Sequence, residues 1–389
     1  MNILYSCTED LSEPSAERTH VSEVVNNLAE LGHEVHLVAS KKGDLKLHPN
    51  VKFYSILPII DKRVLFPVTQ IFQRVHYRRL ILRIVRKKEI DVVYERDNRY
   101  DYGFLGRKYG AHTVLELNGV FPHEAEISGA NNTEVKALID ETRNKLKIYD
   151  TLIAVSEGIK DYCISIGADE ERIHVVTNGV NTELFKPLDK EECRKRVGAS
   201  SDNIVGFIGS LRPYQGLEDM IRMMKFLVEK HPGIKLIVVG DAGRKDGFQF
   251  HPTINELNRI AIEENVSNNV IFTGRMDYEE IPFYINSFDV GLIFQNVISD
   301  GEHNPLKTME YLSCGIPVIC TNWKSFQFIE DERLGFLVDS TNHEEIANVI
   351  RKTISNNDLL VEMGQNAREY AMKFCSWKAT ARRIIEIIE

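Results

Sequence analysis

Short apolar runs alternate with amphipathic helical patterns along this chain, and that alternation restricts its fold more than any other feature. Ile3 to Ser6 reads as a short buried strand. After a polar loop, Val21, Val24, Val25, Leu28 and Leu31 recur at helical spacing, Gly32-His33 closes the helix, and Glu34 to Ala39 is the next strand. Strand, loop, helix, strand is the opening of a doubly wound parallel sheet. Further strands read at Ile90–Tyr94 and in His112–Gly119, which has Glu116, Asn118 and Gly119 at its carboxyl end, with a helix at Tyr102–Tyr109. Residues 53–67 give no clean period. The order restarts at Asn203–Gly209, followed by a helix whose face is Leu217, Met220, Ile221, Met224 and Leu227. Strands at Ile234–Gly240, Val270–Gly274, Asp289–Phe294 and Gly335–Val338 complete a second set.

A chain of 389 residues exceeds one comfortable hydrophobic core, so two domains are expected. The charged stretch Asp189–Ser201 reads as the connection between them. Hydrophobic residues at 43% and charged residues at 27% belong to a globular enzyme rather than a disordered or fibrous chain. The six cysteines are scattered, with no Cys-x-x-Cys pair, and read as reduced thiols rather than a disulfide frame or zinc site. A net charge of −9 argues against nucleic acid as the main partner. The first residues enter a strand directly and meet Glu9-Asp10, which is unlike a signal peptide. No uncharged apolar run approaches the roughly 18 residues of a transmembrane helix. The expected location is therefore cytoplasmic.

The richest chemistry lies in Asp300–Cys320. Glu302 and Glu310 stand with seven residues between them. Asn304-Pro305 reads as a helix start, and Gly315-Ile316-Pro317 stops that helix before the strand Val318–Cys320. A helix that opens where a strand-following loop ends offers N–H groups and a positive dipole end to a phosphate. A carboxylate at Glu310, one to two turns on, can accept two hydrogen bonds from a ribose diol.

This stretch resembles the signature of the retaining glycosyltransferases of family 4. Members read Glu-x-Phe-Gly-x-x-x-x-Glu-Ala and then Cys-Gly-x-Pro-Val. Both glutamates, Cys314-Gly315, Pro317 and Val318 match, while His303-Asn304-Pro305 replaces x-Phe-Gly. A second passage, Val155-Ser-Glu157 through Ile173, Asn178-Gly-Val, Phe185 and Pro187, is similar to the one where the family's first domain ends. The resemblance implies the GT-B fold: two Rossmann-like α/β domains, 1–188 and 189–372, facing a cleft. The helix within 373–389 would cross back to the first domain. It implies transfer of a sugar from a nucleoside diphosphate donor, UDP- or GDP-linked, to an acceptor hydroxyl with retention, in surface polysaccharide or glycolipid assembly. No further cofactor and no metal are expected; the chain contains no Asp-x-Asp.

Residue roles follow from the same resemblance. Glu302 would hydrogen-bond the sugar and stabilise charge at the anomeric carbon, and Glu310 would hold the ribose. Backbone groups from His303, Asn304, Pro305, Leu306 and Lys307 would meet the diphosphate and sugar, and the strand end before Arg275 would read the base. Asn118 falls where many members have a histidine, and with Glu116 it would meet the sugar or the acceptor hydroxyl. Departures also occur. The first loop has Ala16-Glu17-Arg18 in place of the usual Gly-Gly turn, although His20-Val21 is kept. The family's Gly-Arg-Leu-x-x-x-Lys-Gly reads Gly209-Ser210-Leu-Arg212-Pro-Tyr-Gln215-Gly216, so both standard diphosphate cations are missing. Arg212 and Lys307 are the available substitutes.

Two glutamates two turns apart do not suit the retaining-glycosidase spacing of about 5 Å. A nicotinamide dehydrogenase would need Gly-x-Gly-x-x-Gly, which is absent. A GT-B nucleotide-sugar epimerase and a non-catalytic partner subunit remain as alternatives, the latter because of the missing cations. Ile71–Lys88 combines an apolar side with Arg74, Arg78, Arg79, Arg83, Arg86, Lys87 and Lys88. That pattern suits either a sheet-covering helix or peripheral contact with an anionic membrane.

Overall fold

The computed structural model describes residues 1–13, 15–56, 66–97, 101–127, 130–199, 203–242, 244–245, 248–249, 252–295 and 306–389. They form two compact units: Met1–Gly179 with Trp377–Glu389, and the described residues from Val180 to Ser376.

The first unit is built on seven parallel strands: β1 (Asn2–Ser6), β2 (Glu34–Ala39), β3 (Val51–Ser55), β4 (Val92–Arg96), β5 (His112–Leu117), β6 (Thr151–Ala154) and β7 (Ile173–Val175). Their order is β3-β2-β1-β4-β5-β6-β7. The central strands are apolar on both faces because helices cover both sides of a parallel sheet. Ile3, Leu4, Val93 and Leu115 are accordingly buried. Strand β3 escaped the sequence reading because it lies at the sheet edge, where burial is partial and apolar spacing is weak. The first helix, Ala16–Glu30, starts where the Ser15 side chain accepts from the Arg18 N–H. It ends before Gly32, whose φ of +96° few other residues adopt. The basic helix, Phe66–Lys87, presents Tyr77, Ile81, Ile84 and Val85 to the core. Tyr77 also donates to the buried Glu95 carboxylate at 2.8 Å.

The second unit holds the parallel strands β8 (Ile204–Ile208) and β9 (Lys235–Val239), a small hairpin of β10 (Arg244–Lys245) and β11 (Phe248–Gln249), and then β12 (Val270–Gly274), β13 (Val290–Ile293), β14 (Val318–Thr321) and β15 (Gly335–Val338). The main sheet runs β12-β9-β8-β13-β14-β15. Helix Leu217–Val228 buries Met220, Ile221, Met223, Met224 and Leu227 on it.

Both boundaries differ from the sequence reading. Residues 180–188 belong to the second unit, because Phe185 is fully buried in that unit's core. The Val180 N–H also donates to the Cys375 carbonyl at 2.7 Å. The Arg368 guanidinium clamps the passage further, donating to the carbonyls of Phe185 at 2.9 Å and Ser313 at 2.8 Å. The terminal helix of the first unit starts at Trp377, and Phe374-Cys375 stay with the second. Trp377 lies over Gly179, where a Cβ would come within 2.7 Å of it. All six cysteines are free and buried.

Candidate functional site

In the second unit the strand order reverses between β8 and β13, the place where open α/β sheets bind ligands at their carboxyl ends. Gly209 (φ +137°) follows β8 and Gly240 (φ +142°) follows β9. A Cβ on Gly240 would fall 1.9 Å from the Gly209 carbonyl oxygen, so only glycine lets these two ends meet. Ser210 to Gln215 then fold into a tight turn, in which the Gln215 N–H donates to the Arg212 carbonyl at 3.0 Å.

The motif helix, Leu306–Ser313, delivers Lys307 to that turn. Lys307 Nζ donates to Gln215 Oε1 at 2.5 Å and stands 3.9 Å from the centre of the Phe207 ring. Gly209 leaves the necessary room, since a Cβ there would lie 3.1 Å from the ammonium. Lys307 is therefore a cation in direct contact with Gln215. Burial drives the Lys307 pKa down to about 7, against the upward pull of Glu310. Three residues on, and so on the same side of the helix, Glu310 shows the converse. Burial raises it to about 7, against the downward pull of Lys307. The pair is a cation and an anion held at the edge of losing their charges. An ammonium has three donors, and Gln215 takes one.

Leu306 opens the motif helix, and Gly315 (φ +72°) closes it, its N–H donating to Leu312 O at 3.0 Å. Ser210 and Arg275 are exposed, and Arg275 follows Gly274, whose carbonyl accepts from the Gly240 N–H at 2.9 Å. Glu302, His303, Asn304 and Pro305 lie outside the described residues. The sequence reading missed Gln295, which follows β13 and is 1% exposed. Neither polar atom of its side chain has a hydrogen-bond partner among the described residues. Its sole sequence signal was a polar residue at the end of a buried strand. Among the described residues no group of His, Cys, Asp or Glu side chains is arranged to hold a metal ion.

In the first unit, the end of β5 carries Glu116 and Asn118. Glu116 is 1% exposed, and both of its oxygens have close partners. Its Oε1 accepts from Asn118 Nδ2 at 2.8 Å and lies 2.8 Å from His20 Nε2, and its Oε2 accepts from the Tyr94 hydroxyl at 2.5 Å. An Arg96 nitrogen is 4.0 Å from Oε1. Burial alone would raise this carboxyl, but His20, Arg96 and Tyr94 outweigh it and hold it at about 2. Glu116 is thus an ionised anchor. Of the two ends of the Asn118 amide only the N–H can face an ionised carboxylate, so Asn118 turns its nitrogen inward and keeps its carbonyl oxygen as an acceptor. The other nitrogen of His20 lies 2.8 Å from Asn178 Oδ1, and its ring meets Trp377 edge-on at 5.3 Å. His20 and Arg96, which sequence reasoning did not select, therefore set the charge state of Glu116.

Two family models account for most of the chain. Residues 18–184 match Glycosyltransferase Family 4, and residues 189–370 match Glycosyl transferases group 1. An uncharacterized glycosyltransferase, MJ1069 of Methanocaldococcus jannaschii, is 23% identical over 95% of this chain and 94% of its own length. The D-inositol 3-phosphate glycosyltransferase of Acidothermus cellulolyticus is 28% identical over 57% of this chain, which spans only 48% of that protein's length. Among solved structures, sucrose-phosphate synthase from Thermosynechococcus elongatus aligns over 100% of this chain and 98% of its own, with a TM-score of 0.77 and 18% identity. Anabaena HepE in complex with UDP covers 99% of both chains, with a TM-score of 0.74 and 18% identity. The chain is a glycosyltransferase of the family 4, group 1 type, on the GT-B fold.

Proposed function

We propose that this protein transfers a sugar from a nucleoside diphosphate sugar to an acceptor hydroxyl, with retention and without a metal ion, in surface polysaccharide or glycolipid assembly at the cytoplasmic face of a membrane. The observation that carries this reading is Lys307, placed beside Gln215 and Gly209 where the family's arginine and lysine are missing, with Glu310 one turn further along. A structural neighbour, HepE, is known with UDP and with UDP-glucose, which supports a UDP-linked donor.

In this reading Lys307 and the first N–H groups of the motif helix meet the diphosphate, and Glu310 accepts from the ribose hydroxyls. The bond from the anomeric carbon to the donor phosphate oxygen breaks as the bond to the acceptor oxygen forms on the same face. The acceptor's proton passes to the departing phosphate oxygen. Lys307 stabilises the charge that gathers there. Glu302 holds the sugar, and the Asn118 carbonyl oxygen accepts from a substrate hydroxyl, oriented by Glu116. Glu116 itself is not the base, since its oxygens are taken and its pKa is about 2.

The test is a panel of nucleoside diphosphate sugars scored by melting shift and by released UDP or GDP, with wild type and Glu310→Ala. One donor should stabilise the wild type and release its nucleotide slowly, and the variant should lose both effects. No shift and no release from any donor would transfer the assignment to a non-catalytic partner subunit.

A further inference from the structure

The basic helix presents a second surface that the transfer reaction does not use. From Phe66 to Lys88 the sequence contains no Asp or Glu and seven Lys or Arg residues, in a chain whose net charge is −9. The structure separates the helix into two sides. Tyr77, Ile81, Ile84 and Val85 are buried in the core. The outward side begins with Ile71, Phe72 and Val75, which are 62%, 65% and 41% exposed. It continues with Arg78, Arg79, Arg83 and Arg86, all exposed. At 1.5 Å per residue this outward stripe runs for about 22 Å, apolar at one end and cationic along the rest. A sheet-covering helix explains the inner side only. Arg86 donates to the Tyr109 hydroxyl at 2.7 Å, but three large apolar side chains in water beside Arg78, Arg79 and Arg83 have no use in a fold whose core is already closed.

We propose that this face docks on an anionic phospholipid bilayer, with Ile71, Phe72 and Val75 entering the boundary of headgroups and acyl chains and Arg78, Arg79 and Arg83 pairing with lipid phosphates. Charge selects this occupant. A second copy of the same face would bring two cationic stripes together. The chain's overall negative charge does not prevent docking, because at physiological salt only charges within about 8 Å are felt strongly. Nucleic acid would meet the arginines but leave Ile71 and Phe72 without a role. Amphipathic helices that combine a cationic side with Phe, Ile or Leu lie in the plane of a membrane interface. No described helix is long and apolar enough to cross a membrane, so the contact is with one surface. The inference stands apart from the transfer reading, since none of these residues belongs to the second unit's site.

The experiment is flotation of the whole protein with vesicles of phosphatidylcholine alone or mixed with phosphatidylglycerol. Binding should require the anionic lipid and weaken as salt rises. Arg78→Gln and Arg79→Gln should each lower the partition about fivefold. Phe72→Ser should lower it about tenfold. All three positions are exposed, so melting temperature and UDP binding should stay as in the wild type, which separates a failed surface from a failed fold or a failed transferase. Equal binding to neutral vesicles, no binding to either, or variants that float like the wild type would overturn the proposal. So would binding of single-stranded DNA with the same arginine dependence and no effect of Phe72→Ser.

Discussion

Glu116 in the first unit and Glu310 in the second are a matched pair with opposite fates. Each is a buried carboxylate near the carboxyl edge of a parallel sheet, 1% and 9% exposed. One is held at about 2 and the other raised to about 7. Burial pushes both upward, so the difference lies in the neighbours. Glu116 has His20, Arg96, Tyr94 and Asn118 around it. Glu310 has the pull of Lys307, itself a cation lowered to about 7 by burial. A buried carboxylate with close donors on both oxygens is a structural anchor. A carboxylate and an ammonium that are both near neutrality, in a turn shaped by two positive-φ glycines, are what the proposed function requires of a site that would acquire its charges with its ligand.

The largest way to break the comparison is Lys307→Met. UDP affinity should fall about 10²- to 10³-fold, because the ligand's diphosphate loses the buried counter-charge that Lys307 would supply. Stability should hold or rise, since a poorly paired buried ammonium is replaced by an apolar side chain of similar length. Titration calorimetry and a denaturant melt read the two effects separately. Retained affinity would move the cation's role to Arg212.

Glu116→Gln should do the reverse. The folded pKa lies about 2.5 units below the ordinary 4.5, which corresponds to about 3 kcal/mol of stability. A depressed carboxylate pKa contributes that stability above pH 4.5 and loses it as pH falls towards 2. The variant should therefore melt earlier at pH 7, lose less on acidification than the wild type, and bind UDP unchanged in the second unit. A variant as stable as the wild type at pH 7 would show that Glu116 is not an anchor.

A smaller effect sharpens the contrast. Glu310→Gln should weaken UDP about tenfold at pH 8, the worth of a charge-assisted pair of ribose hydrogen bonds over a neutral one. The wild type should lose affinity below pH 7, where Glu310 takes up a proton, and the variant should not. An unchanged acid limb in the variant would remove Glu310 from the site.

How much of this was readable in advance depended on distance along the chain. The helix stop at Gly315 and most of the central strands of both sheets are local patterns, carried by residues within a few positions of each other, and they are legible. The family resemblance was legible for the same reason: its strongest passages are contiguous. The unit boundary was not, because Phe185 reads as an anchor in a linker and only the fold shows which core receives it. Nor was the contact of Lys307 with Gln215 and Phe207, which lie about ninety residues earlier in the chain. Glu116 and Asn118 were visible as polar residues at a strand end. The residues that fix their roles, His20 and Arg96, come from another helix and another strand. Spacing carries no signal for such contacts.

The most direct measurement is the proton balance of UDP binding at pH 8, obtained by calorimetry in two buffers of different ionisation heat. In the free protein Lys307, with a pKa of about 7, is mostly neutral at that pH, whereas Glu310 is already ionised. A diphosphate beside Lys307 raises its pKa, so wild-type binding should take up close to one proton and Lys307→Met should take up none. Binding without proton uptake, or uptake that persists in Lys307→Met, would contradict the claim that Lys307 is the cation this site supplies to its donor.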